Sequence, residues 1–186
     1  GLAGAIEKRM FESGQGAAHL DRAVWYCGRG FYLRSDRYNG VNLAYLLNLR
    51  ADSPLDKTPE DRIADLVWAD RIRLQVRDLC EQELSDIEAR DRRIAAKSGG
   101  LLQEDQLARD REQKFWCLAT RAEAHFGLGD MAAYASDRSQ AQALGRPGWM
   151  METFDRKIEN LKGLLEKHGH LLNPPWTGRA QGSEPN

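Results

Sequence analysis

Apolar positions along this chain recur every three or four residues, and the alternating Val/Ile/Thr runs that mark strands are almost absent. The pattern predicts an all-α protein of seven helices. The first covers residues 1–12, with Leu2, Ile6 and Met10 on its apolar side, and "SGQG" breaks it. The second, over 17–34, buries Leu20, Ala23, Val24, Cys27 and Phe31. The third begins near Gly40 and carries Val41, Ala44 and Leu47 towards Arg50. Thr58-Pro59-Glu60-Asp61 is a start signal for the fourth: a hydroxyl N-cap, a proline at the first helical position, and acids at the positive end of the dipole. That helix runs to about Leu84 or beyond, on a stripe of Trp68, Ile72, Val76, Leu79 and Cys80.

Residues 85–110 are highly charged and interrupted by Ser98-Gly99-Gly100, which predicts an extension of the fourth helix that turns into a mobile loop. The fifth helix spans about 106–128, Gly129 supplies a left-handed stop, and Asp130 caps a sixth helix over 131–144. The seventh, over 149–167, buries Met150, Phe154, Ile158, Leu161 and Leu165 before Gly169 closes it. Residues 1–170 read as one domain and 171–186 as a partly disordered tail.

Seven helices with short turns can form a bundle or a solenoid, and the small residues favour the solenoid. Ala122 and Ala141 sit on two helices either side of the Gly129-Asp130 corner, with Pro147 just past the second. That is the layout of a tetratricopeptide hairpin, in which small side chains let the helices approach closely. Pairing helix 1 with 2, 3 with 4 and 5 with 6 gives a right-handed solenoid of about three hairpins plus a C-terminal capping helix. The first helix of each pair then lines the concave side.

Composition narrows the function by exclusion. Lys+Arg 27 against Asp+Glu 28 leaves a formal charge of −1, too weak a field to gather nucleic acid or anionic lipid, so neither is an expected partner. A run of about 18 apolar residues is missing, so no membrane span is expected, and no signal-peptide pattern opens the chain. Cys27, Cys80 and Cys117 are scattered within apolar stripes, which predicts buried thiols in a reducing, cytoplasmic setting. The opening at Gly1-Leu2 reads as a segment of a longer polypeptide. No P-loop, G-x-S-x-G, H-E-x-x-H or kinase signature occurs, and Gly28-Arg29-Gly30 lies inside a helix rather than in a phosphate loop. His168 and His170 have no Cys or carboxylate beside them in the sequence to complete a metal shell. Neither catalysis nor a cofactor is expected.

The candidate site lies on the concave side. Tyr38 precedes a stripe of Asn42, Tyr45 and Leu49 at i, i+3, i+7, opposite much of Val41, Ala44 and Leu47. Asn42 either presents its amide to a ligand or partner, or satisfies backbone groups of the preceding turn. On the fifth helix Lys114, Arg121 and His125 recur at i, i+7, i+11, either as a cationic stripe for a phosphate or acidic side chain, or as a solvated face. Trp116 is either core or a stacking surface for a base. Arg22 and Arg29, seven apart on the second helix, add charge to a neighbouring face.

Three segments carry a resemblance to a known family: "GLAGAIEKRMFESG", "AVWYCGRGFYLRSDRYNGVNLAYLL" and "FWCLATRAEAHFGLGD". They resemble the tetratricopeptide-like TRAFs-binding domain of apoptosis-signal-regulating MAP kinase kinase kinases, a family with many bacterial members. The middle segment is the most specific, with its aromatic helix and Tyr38-Asn39-Gly40-Val41-Asn42 corner. The likeness covers about residues 1–145, and the longer, more charged 85–110 departs from it. It implies a non-catalytic regulatory module. In the kinases such a domain adjoins the catalytic domain and binds TRAF adaptor proteins. In bacterial conflict systems it accompanies effector modules as a sensor of nucleotide-derived ligands related to NAD breakdown. A protein partner, a fused effector domain or a nucleotide-derived small molecule is therefore expected at the groove.

Overall fold

In the computed structural model, residues 2–53, 57–96 and 101–172 are described, and no strand occurs among them. They form seven helices: α1 (Leu2–Glu12), α2 (Ala18–Arg34), α3 (Arg37–Asp52), α4 (Pro59–Ala95), α5 (Leu101–Gly127), α6 (Met131–Ala143) and α7 (Gly148–Leu172). Local chemistry explains their limits. The Thr58 hydroxyl accepts from the Asp61 N–H at 3.2 Å while the Asp61 carboxylate accepts from the Thr58 N–H at 3.2 Å, a capping box ahead of Pro59. Gly129, at φ +78°, turns the chain into α6, whose first turn is capped by Asp130 accepting from Ala133 N–H at 3.0 Å.

α3 starts three residues before the expected Gly40, because Asp36 caps it by accepting from the Tyr38 N–H at 2.9 Å. Gly40 thus lies inside the helix, and its role is packing. A Cβ there would come within 2.5 Å of Val76 and 2.7 Å of the Phe31 ring, so the missing side chain lets α2, α3 and α4 meet.

Each helix packs against the next through α6, as stacked hairpins require. The core runs through Leu20, Cys27 and Phe31 of α2, Leu43 and Leu47 of α3, Ile72 and Val76 of α4, and Phe115 and Leu118 of α5. Ala122 and Ala141 are fully buried at the α5–α6 approach. Three expected apolar positions differ. Leu2 and Ile6 of α1 are 78% and 48% exposed, because α1 turns Gly4 rather than its large side chains towards α2. Trp68 is also exposed, and Leu66 and Ala69 occupy the buried side of that turn.

The fourth helix extends into the charged stretch 85–110 as expected, to Ala95, and α5 begins at Leu101, earlier than the expected 106. The expected Ser98-Gly99-Gly100 break lies outside the described residues. Polar and charged side chains of this stretch meet between the two helices. Gln113 donates to Glu83 at 2.7 Å, Arg90 donates to Gln113 and to Asp110 at 3.0 Å, and Gln106 donates to Asp110 at 3.1 Å. Ile87 is buried beside these rungs.

α7 does more than end the array. It runs on through Gly169 to Leu172, and it packs on α3 and α4 as well as α5. A helix that merely continued the stack would not reach α3, so α7 leans across the concave side. Met150, Phe154, Ile158, Leu161 and Leu164 are its buried face, with Leu165 half-buried. Lys167 pairs with Asp52 at the end of α3 at 2.9 Å, and buried His168 sits 3.6 Å from the same carboxylate. The expected tail lies outside the described residues from 173 onward. No helix among the described residues is long and apolar enough to cross a membrane.

Two glycines test this packing in opposite directions. Gly40→Ala gains about 1 kcal/mol of helix propensity but forces atoms into Val76 and Phe31, and a net loss of about 1–2 kcal/mol is expected. Gly163→Ala in α7 meets open space and is expected to gain up to about 1 kcal/mol. Urea denaturation of both variants checks the pair.

Candidate functional site

A cavity of about 730 Å³ opens between α1 and α7. α3 supplies Arg37, Tyr38, Asn42 and Leu46; α1 supplies Lys8, Arg9 and Glu12; α5 supplies Trp116 and Thr120; and α7 supplies Thr153 and Lys157. The helices of the inner wall therefore converge on one hollow, with Glu83 of α4 reaching it from behind.

Arg37 is the anchored cation. Its Nε donates to Glu83 at 2.6 Å, and Nη1 donates to the Thr120 hydroxyl at 3.2 Å and the Trp116 carbonyl at 3.4 Å. Burial works against its charge, but the bond and charge of Glu83 outweigh that and hold its pKa above the ordinary value. Lys8 lies 4.4 Å over the Tyr45 ring and 3.6 Å from Glu12. Lys157 lies 3.9 Å from Glu123 and 5.9 Å over the Tyr38 ring. Exposed Arg9 has no acidic partner among the described residues. Asp36 is committed to the α3 cap, where it also takes a hydrogen bond from Asn39.

Of the residues singled out from the sequence, Tyr38, Asn42 and Trp116 line the cavity. Asn42 makes the expected backbone contact from the cavity wall. Its Nδ2 donates to the Tyr38 carbonyl at 2.7 Å, and its Oδ1 accepts from no described group. Trp116 is half-buried, with its ring edge against Phe115 at 5.1 Å and tilted towards Trp149 at 6.0 Å. Tyr45 lies one contact away, beneath Lys8, and burial raises its pKa.

Lys114, Arg121 and His125 do not line the cavity. Arg121 donates to Asp137 of α6 at 2.9 and 2.7 Å, a bond that raises its pKa. His125 sits 3.8 Å from the same carboxylate and 3.7 Å from Asp130. Lys114 pairs with Glu88 of α4 at 3.1 Å. Trp116, Thr120 and Glu123, at i, i+4, i+7, form the side of α5 that meets the groove, roughly half a turn around the helix from those cations. Because α5 is packed by α4, α6 and α7, polar spacing alone did not tell its groove side from its hairpin sides. Lys8, Arg9, Arg37, Glu83, Thr120 and Lys157 were missed. The "EKR" of α1 and the Arg37-Tyr38 pair at the α3 cap were the visible signals.

Residues 1–47 match the family model described as Tetratricopeptide Repeats-Sensor. The matched stretch carries α1, α2 and the part of α3 that contributes Tyr38 and Asn42 to the cavity. It is similar to a sensor built on tetratricopeptide repeats, in keeping with the helical-hairpin fold. No curated protein matches the chain, and no solved structure does.

Glu123 makes this wall sensitive to pH. It is buried on α5 and receives no hydrogen bond from a described group, and burial raises its pKa above the ordinary 4.5 despite Lys157, Arg73 and Lys8. From pH 4.5 up to that raised value the folded chain holds a proton that the unfolded chain releases, so stability falls as pH rises. Above the window, the charged and poorly solvated carboxylate keeps its cost. Glu123→Gln is therefore expected to melt higher than the parent at neutral pH. Melting scans from pH 4 to 8 should show the gain vanish below about pH 4.5.

Proposed function

We propose that this chain is a non-catalytic recognition domain whose cavity takes a nucleotide-derived small molecule and whose occupancy controls a fused or associated effector. The observation that carries this reading is the cavity itself. Its volume of about 730 Å³ lies in the range of small-molecule sites, roughly 300–1,000 Å³. Lys8, Arg9 and Lys157 stand around it without strong acidic partners, ready for the charge of one or more phosphates. Tyr38 and Trp116 offer rings for a base, and the open Asn42 Oδ1 offers an acceptor for a hydroxyl or amino group. The likeness of residues 1–47 to a sensor family supports the same reading.

A partner protein, such as a TRAF adaptor, is the other candidate occupant. Repeat solenoids hold partners along an extended concave surface, and here α7 leans across that surface. The position of α7 supports a small ligand inside, and on this reading a protein partner acts on the output side. A ligand that touches Thr153 and Lys157 bears directly on α7 and can shift it only by binding one of its positions better than another.

Thermal melting in the presence of ADP-ribose, NAD and related nucleotides tests the proposal. A ligand that binds only the folded chain adds about 2.7 kcal/mol at one hundred times its Kd, which is about 5–10 °C for a domain of this size. Lys8→Glu and Arg9→Glu should remove the shift while leaving the unliganded melting temperature within about 2 °C. Asn42→Ala should reduce it. If none of these nucleotides raises the melting temperature at millimolar concentration, the nucleotide reading fails.

A further inference from the structure

We infer that the convex face between α2 and α4 is a docking surface for an acidic peptide segment of a partner protein, one that carries an aromatic or branched aliphatic anchor. This face lies on the opposite side of the hairpins from the cavity and does not depend on what fills that cavity. Trp25, Arg29 and Tyr32 follow i, i+4, i+7 along the outside of α2, and Val67, Trp68 and Arg71 occupy the outside of α4. Trp25 is 55% exposed, Tyr32 58% and Trp68 38%, a density of open aromatic surface that a solvated face does not need. These side chains are ordered against one another rather than scattered. Trp68 Nε1 donates to the Tyr32 hydroxyl at 3.0 Å across the two helices, and the Arg29 guanidinium lies 5.3 Å over the Trp25 ring. A shallow hollow lies on either side of that bridge. One of about 430 Å³ is lined by Val67, Trp68 and Arg71, and another of about 380 Å³ has Tyr32 in its wall.

Charge selects the occupant. The aspartates bordering this face are already held within the chain: Asp21 by Arg50 at 3.1 Å, Asp70 by Arg73 at 3.0 Å and Asp78 by Arg77 at 2.9 Å. Arg29 on one helix and Arg71 on the other meet no carboxylate among the described residues. Glu60 is the acid left over, and it sits in the first turn of α4, where the positive end of the helix compensates it. Two uncompensated guanidinium groups flanking Trp and Tyr are the composition of an interface centre, and they complement carboxylates. A basic segment would meet repulsion there, and a purely apolar one would leave both arginines without partners.

Display selection of random 12-residue peptides against the full chain tests this, with the Arg29→Glu/Arg71→Glu double variant and Trp68→Ala as parallel baits. All three positions are exposed, and circular dichroism with melting confirms each bait is folded. Peptides enriched on the parent are expected to combine Asp/Glu with Trp, Phe, Leu or Ile. They should lose about tenfold or more in affinity on either variant, and keep their affinity on Lys8→Glu, which alters only the cavity. Enriched peptides that are basic, or that bind both variants as tightly as the parent, overturn the inference, as does a selection that enriches nothing. Sedimentation velocity of the parent and Trp68→Ala closes the remaining route. A concentration-dependent dimer lost in the variant would assign the face to a second copy and overturn the peptide proposal.

Discussion

Enclosure of α3 is the constraint on which the remaining architecture depends. Leu43, Ala44, Leu46, Leu47 and Ala51 are buried around nearly the whole circumference of the helix, against α2, α4 and α7. A helix surrounded in this way must answer most of its polar groups from within the protein, because each unpaired one costs about as much as a lost hydrogen bond. Among the described residues of α3, the buried side-chain atoms left without a partner are Asn39 Oδ1 and Asn48 Nδ2. Asn48 accepts from the buried Arg73 of α4, and Asn39 donates back to the Asp36 that caps the helix. Arg73 in turn lies across Gly127 of α5, where a Cβ would come within 2.1 Å of its Nε. One buried helix thereby links three hairpins through polar as well as apolar contacts.

The candidate site is where that enclosure stops. The first two turns of α3 emerge between α1 and α7, and their exposed side carries Tyr38 and Asn42 into the hollow. Arg37, at the first helical position, is turned inward onto Glu83 and the α5 backbone. The wall with the most persistent geometry is therefore built from groups already bonded to one another. Lys8, Arg9 and Lys157 stand on the two outer helices, Lys8 and Lys157 with looser ties to Glu12 and Glu123. On the proposed reading, that bonded floor would define the shape of the pocket and the outer charges would meet the ligand.

Much of this was legible in the sequence because the signals were local. Thr58-Pro59 and Gly129-Asp130 stated their helix limits through backbone chemistry that needs no tertiary contact, and the spacing of Leu20, Val24, Cys27 and Phe31 stated a buried side. The third helix showed Asn42 and Tyr38 near a surface, and the cavity includes both. What failed was whatever depended on neighbours. Gly40 looked like a turn residue and proved to be a packing residue, because nothing local reveals that Val76 and Phe31 press on it. Lys114, Arg121 and His125 looked like a groove because periodicity gives the angle around a helix but not which neighbour stands at that angle. The stretch 85–110 looked like a helix running out into a mobile loop because pairing across two antiparallel helices leaves no short-range trace.

The rungs joining Glu83, Gln113, Arg90 and Asp110 give that last stretch a mechanical character. Glu83 touches the cavity, and α4 continues twelve residues beyond it to Ala95, a reach of about 18 Å at the rise of an α-helix. Two helices braced at intervals by charged and amide crosslinks resist bending and twisting together, as a girder does and a tether does not. Whatever meets the far end of this projection is held at a set distance and angle from the hollow.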